Sequence, residues 1–231
     1  VVNTVCIQSA ECGDKYYNRI ISCYSDQRRK IKMKKNRIRS TIDNFKFVLF
    51  GSAAVGKSSL VSRLVHDDYR INYIPTVEDI HRYFIQSNDR LCNLTIVDTG
   101  GSHDFPAMKE LYIKNCAAFI LVLSVDDKKS LEQFKKDTQT ILECRPNAKI
   151  LSVVNKVDIQ ERSFSSIQVI RYMEKQRTRY PQFQYKYLET SAERNVNVRE
   201  IFYEAVELLS PGFKEQRKAG KRGVAQPCTI L

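Results

Sequence analysis

The sequence predicts an α/β fold, a doubly wound and mostly parallel sheet with helices on both faces. Three observations carry this. Continuous apolar runs such as residues 117–125 (AAFILVLSV) and 149–154 (KILSVV) have the make-up of parallel strands covered on both sides. Stretches with apolar residues at helical spacing lie between such runs. The first run in the series ends in a glycine that opens a phosphate-loop pattern.

In order along the chain, residues 45–50 (FKFVLF) predict a short buried strand that turns at Gly51. Residues 56–66 predict a helix. Residues 79–85 and 91–97 predict neighbouring strands, with the polar Ser87-Asn88-Asp89 as the turn between them. The strand at 117–125 is followed by a helix over 130–143, where Leu131, Phe134, Thr138, Ile141 and Leu142 share one face. After the strand at 149–154, residues 166–179 predict a helix, 184–190 a last strand and 198–209 a last helix. In that last helix Ile201, Ala205, Leu208 and Leu209 fall together.

The chain has 231 residues, 42% apolar and 28% charged, room for one ordinary domain with tails. Its net charge of +12 is unevenly spread. Residues 1–44 hold 10 Lys/Arg against 4 Asp/Glu, and residues 211–231 hold 5 against 1, so only +2 remains for the body. We therefore divide the chain into a basic, disordered N-terminal extension (1–44), a globular domain (45–210) and a basic tail (211–231). Basic ends on a near-neutral body suit an anionic surface. A membrane is expected rather than nucleic acid, since no basic groove interleaved with aromatics is present. The seven cysteines are odd in number and lack zinc-type pairing, a pattern of reduced thiols. No apolar run approaches the length of a membrane span.

The strongest motif is Gly51-Ser52-Ala53-Ala54-Val55-Gly56-Lys57-Ser58, followed by Ser59. Small residues let consecutive backbone N–H groups wrap phosphates, and the helix that follows aims its positive end at the same charge. Lys57 is expected at the β- and γ-phosphates and the Ser58 hydroxyl at Mg²⁺. A second site is Asp98, followed by Thr99-Gly100-Gly101. A carboxylate at a strand end beside the phosphate loop holds the Mg²⁺ shell, and Gly101 lets a backbone N–H approach the γ-phosphate. A third is Asn155-Lys156-Val157-Asp158, directly after a buried strand. The Asp158 carboxylate is suited to accept from guanine N1–H and the exocyclic amine, a donor pair that adenine lacks. Asn155 is expected to tie this loop to the phosphate loop, and the Lys156 stem to cover a base face. Thr190-Ser191-Ala192 supplies a further base loop. A P-loop ATPase or kinase is opposed by the Asn155–Asp158 motif.

These motifs, in this order, resemble the Ras superfamily over residues 45–210, with the run Gly101-Ser-His-Asp-Phe-Pro-Ala-Met108 most similar to the Di-Ras and Dexras/Rhes subgroup. The resemblance implies a Ras-like G domain that binds GTP and GDP with Mg²⁺. It makes residues 69–79 the effector segment, switch I. There Thr76 ligates Mg²⁺ and senses the γ-phosphate, and Tyr69 lies against the guanine. Tyr73, Ile74, Pro75, Thr76, Val77, Glu78 and Asp79 face effectors. It also implies a guanine-nucleotide exchange factor and a GTPase-activating protein as partners. Lys57, Thr76, Gly101 and Ser102 become the residues of the reaction itself. The terminal Cys228-Thr-Ile-Leu231 fits a prenylation box, its final Leu favouring geranylgeranyl, so that lipid and basic tail together imply the cytoplasmic face of the plasma membrane.

Four positions depart from the pattern. Ser102 stands where Ras enzymes carry the Gln that orients the attacking water. Ala53 and Ala54 stand where the Ras loop has two glycines, and Glu193 where a Lys is usual. Two readings follow: a GTPase that cycles slowly by itself and faster with a partner, or a module that stays GTP-loaded and is regulated by exchange, abundance or localisation.

Overall fold

Strand β1 (Ile42–Phe50) lies in the middle of a six-stranded sheet of order β2-β3-β1-β4-β5-β6. The other strands are β2 (Glu78–Ser87), β3 (Arg90–Thr99), β4 (Ala118–Ser124), β5 (Lys149–Asn155) and β6 (Gln184–Glu189). The computed structural model describes residues 42–69, 75–87, 90–101 and 106–213. Among these are five helices: α1 (Lys57–His66), α2 (Pro106–Asn115), α3 (Lys128–Cys144), α4 (Ser166–Arg179) and α5 (Val198–Leu209). Only β2 runs antiparallel, paired with β3; the other pairings are parallel.

Alternation along the strands builds two cores. Phe47 and Leu49 of β1, with Ala118, Ile120 and Val122 of β4, face α1 and α5 and pack with Leu60, Leu64, Ile201 and Phe202. Val48, Phe50, Phe119, Leu121 and Leu123 face the other way, onto Ile113, Leu131, Phe134 and Met173. All seven residues of β4 are buried, as a strand covered on both faces requires. Truncating a fully buried ring such as Phe119 to Ala would cost about 3–5 kcal/mol. Helices α3 and α4 begin at capping side chains, Asp127 accepting from Lys129 N and Ser165 from Ile167 N. No helix among the described residues is long and apolar enough to cross a membrane.

The doubly wound, mostly parallel sheet agrees with the sequence reading, with two differences. β1 begins at Ile42, inside the stretch read as extension, because it pairs with β3 from Leu91 onward. Helix α2 was not expected. Its apolar residues form no single stripe, since Tyr112 and Ile113 are buried while Met108 and Leu111 are exposed. Asn88 and Asp89 of the expected turn lie outside the described residues, as do Tyr73, Ile74, Ser102, Cys228 and residues 1–41 and 214–231 of the basic ends.

The order of strands reverses at β1, which has β3 on one side and β4 on the other. In open α/β sheets the crevice beyond the carboxyl ends at such a point is where ligands bind. The loop after β1 is the one that begins at Gly51.

Candidate functional site

That crevice is a cleft of about 630 Å³. Its floor is the loop between β1 and α1. Gly56, at the entry to α1, has φ 97°, and a Cβ there would stand 2.3 Å from Asn155 Nδ2, so the position excludes a side chain twice over. Ala54 also takes a left-handed conformation, φ 61°, which a side chain tolerates only with strain. Ala53, Ala54, Gly56, Lys57, Ser58 and Ser59 line the cleft, while Gly51 and Val55 are buried beneath it and Ser52 is half-buried.

Lys57 is buried, its Nζ donating to the carbonyls of Gly51 and Ser52 at 2.8 Å each. Burial pushes its ammonium down to about 8, the charges of Asp98 and Asp137 partly opposing. Those two bonds curl the loop around the lysine, leaving its ammonium at the floor of the cleft.

Three oxygen donors meet beside it. The Ser58 and Thr76 hydroxyls are 2.9 Å apart, although they come from α1 and from the segment before β2. Asp98, near the end of β3, is 1% exposed and its Oδ1 has no hydrogen-bond partner among the described residues. Burial raises its pKa, against the Ser58 hydroxyl and the Lys57 charge. A buried carboxylate with one unpartnered oxygen, beside two hydroxyls, is a donor set that fits a hard, oxygen-preferring divalent cation such as Mg²⁺.

At the far end, Asn155 Nδ2 donates to the Val55 carbonyl at 2.9 Å, tying the β5 loop to the phosphate-loop segment. Its Oδ1 accepts from Thr190 Oγ1 at 3.2 Å and Ala192 N at 3.3 Å, so one side chain holds three loops. Asp158 lines the cleft with an Oδ1 that is sealed from solvent and unpartnered. Such an oxygen is poised for N–H donors from a ligand. Lys156 takes φ 61° and donates to Asp126 Oδ2 at 3.3 Å, its stem along the cleft wall. Tyr69, Ala192 and Glu193 close the same end, and Ser191 is buried behind them.

Gly101 sits against the phosphate loop so closely that a Cβ on it would lie 2.2 Å from both Cα and N of Ala53. Pro75, Thr76 and Asp79 line the cleft; Val77 and Glu78 are exposed and do not line it. Strand alternation separates the two acids of this segment. Asp79 pairs with His81 Nε2 at 3.2 Å on the cleft side, while Glu78 accepts from the Tyr112 hydroxyl on α2. His81 and Ser62, which also line the cleft, were not read from the sequence. The period-two spacing of Asp79 and His81 is the signal that finds the histidine.

A model of the Ras family matches residues 46–210. Human GTP-binding protein Di-Ras1 (Homo sapiens) is 36% identical over 190 residues, 81% of this chain and 92% of that protein. GTP-binding protein Di-Ras2 of Mus musculus is 36% identical over 200 residues, 82% of this chain and 98% of its own. GTP-binding protein Rhes of Mus musculus is 35% identical over 171 residues, 70% of this chain and 63% of its own.

Proposed function

The chain belongs to the Ras family as a small GTP-binding protein of the Di-Ras and Rhes type, and from that premise we propose that it is a membrane-attached, Mg²⁺-dependent guanine-nucleotide switch that hydrolyses GTP slowly. Ras-family small GTPases are GTP hydrolases, and they generally act through effectors, exchange factors and activating proteins. One observation carries the reading. Two sealed, unpartnered carboxylate oxygens, Asp98 Oδ1 and Asp158 Oδ1, belong to acids lining one cleft whose floor is a phosphate loop.

Each end then has its work. Lys57 and the backbone N–H groups of residues 52–58 hold the phosphates. Ser58, Thr76 and Asp98 would hold Mg²⁺, which when bound would supply charge neutralisation to the phosphates. Asp158 reads the guanine edge, Asn155 fixes the distance between base and phosphate loops, and Tyr69 and Lys156 flank the ring. Gly101 brings its backbone N–H to the γ-phosphate. Because Thr76 and Gly101 stand on the two segments that border that phosphate, its loss releases both, which is the switch. The edge strand β2 and the exposed Pro75, Val77, Glu78 and Asp79 present the surface effectors would read.

The second reading, a largely GTP-loaded module, is favoured by Ala53. Its backbone is where Gly101 makes its closest approach, and a methyl group in place of the Ras glycine at this position takes up room that a partner's arginine would need. Geranylgeranyl at Cys228 and the basic tail supply the attachment to an anionic inner leaflet.

The test is competition for a fluorescent GDP. GTP and GDP should displace it in the presence of Mg²⁺ and ATP should not, and Asp158→Asn should weaken GTP sharply while improving xanthosine triphosphate. Equal displacement by ATP and GTP would remove the assignment of Asp158.

A further inference from the structure

Arg63, in the last turn of α1, uses all three guanidinium nitrogens at once. Its Nε donates to the Ala192 carbonyl and its Nη2 to the Glu193 carbonyl, each at 3.0 Å. Its Nη1 donates to the Asp67 carbonyl just past the end of α1, also at 3.0 Å. The guanidinium lies over the Tyr69 ring, 5.7 Å from its centroid, and its side chain is only 17% exposed. Asp67 is engaged from the other side as well, since Asn195 Nδ2 donates to its Oδ1 at 3.3 Å. So the helix that starts at the phosphate loop, the base loop and the Tyr69 wall meet at one side chain. Asn155 holds the inner part of the base loop through Thr190 and Ala192 N. Arg63 holds its outer part, 129 residues away in the chain.

We propose that Arg63 is a positioning residue that latches the base loop and Tyr69 onto α1 and thereby sets how long guanine nucleotide stays bound. The inference rests on the reading above that this end of the cleft holds the base. A planar fork can satisfy two neighbouring carbonyls at once, which a lysine ammonium does not reproduce. Without it the outer loop loses two charge-assisted bonds, and Glu193 and Tyr69 lose the contact that holds them toward the ring, while Ala192 keeps only its bond to Asn155. The γ-phosphate lies at the opposite end, so the latch acts on GDP and GTP alike.

The experiment is dissociation of fluorescent GDP, and of a non-hydrolysable GTP analogue, from the full chain with Mg²⁺. It compares wild type, Arg63→Ala, Arg63→Gln, Arg63→Lys, Asp158→Asn and the Arg63→Gln/Asp158→Asn double variant. Arg63→Ala and Arg63→Gln should each release both nucleotides about tenfold faster or more, the scale of one lost charge-assisted bond. Arg63→Lys should recover only part. In the double variant the increments should combine to less than their product, because Arg63 acts by way of the base contact that Asp158 makes. A purely structural arginine would instead give multiplying effects. Arg63→Gln keeps a polar side chain of similar reach, so the test stands if Arg63→Ala does not fold. Unchanged dissociation in Arg63→Gln, with Asp158→Asn loosening GDP as expected, would overturn the latch alone. An Asp158→Asn variant that holds GDP like wild type would overturn the base reading beneath it.

Discussion

Lys109 of α2 donates to Asp137 of α3, a carboxylate whose side chain is 2% exposed. The same oxygen accepts from Gln133 Nε2 at 2.7 Å, and the Lys109 ammonium lies 5.5 Å from the centroid of the Phe50 ring. Phe50 is the last residue of β1 before the phosphate loop, so this pair fastens α2 behind that loop. Removing the lysine leaves a buried carboxylate without its ion-pair partner, held only by Gln133. Lys109→Met should cost about 3 kcal/mol, the low end for breaking a buried pair, and adding Asp137→Leu should restore part of it. Urea unfolding at a fixed excess of GDP measures this, with nucleotide held constant because binding itself stabilises. Losses that simply add would show the two groups to be independent.

Lys57 gives a pH dependence with a definite sign. Its folded pKa is lowered to about 8 from 10.5, chiefly by burial. Below about 8 both folded and unfolded chains carry the proton, and the burial penalty is present in full. Between the two values the unfolded chain binds more protons, so this group's contribution moves in favour of the fold as pH rises. Bound phosphates favour the ammonium. GDP binding should therefore take up almost no proton at about pH 7 and approach one by about pH 9. Calorimetry in buffers of different ionisation enthalpy reads the uptake directly. Uptake that stays flat across this range would mean that Lys57 remains charged before nucleotide arrives.

Attachment separates lipid from charge. Cys228→Ser should release the protein to the cytosol with both basic ends intact. Neutralising Lys214, Arg217, Lys218, Lys221 and Arg222 should loosen it only in part and make what remains more sensitive to salt. Fractionation of cells expressing each variant distinguishes them. Membrane association unchanged in Cys228→Ser would show that another group is the anchor.

Much of the site was legible because its parts are contiguous. Residues 51–58 and 155–158 are single short stretches whose chemistry is complete within them, and the apolar runs of β4 and β5 announce buried parallel strands. Helix α2 was not legible, because its apolar residues are divided between the core and an exposed face. Nor was Arg63, because its value lies in two carbonyls that only the fold brings to it. The meeting of the Ser58 and Thr76 hydroxyls was expected from resemblance rather than from spacing, since 18 residues separate them. The departures at Ala53 and Ala54 were visible as letters. Their consequences needed coordinates: a positive φ at Ala54 and the close approach of Gly101 to Ala53.

This chain should bind nucleotide firmly and turn it over slowly, and phosphate release from protein preloaded with GTP measures this. Hydrolysis needs an in-line water oriented by a side chain long enough to reach it beside the γ-phosphate, which Ser102 is not. Single-turnover release should fall at or below the intrinsic Ras scale, on the order of 10⁻⁴ s⁻¹. Ser102→Gln should raise it modestly while Ala53 still crowds the loop. Ala53→Gly with Ser102→Gln should exceed the product of the single effects, because both act on one geometry. A wild type that releases phosphate much faster than that scale, with no partner present, would mean that another group, His103 first among them, positions the water.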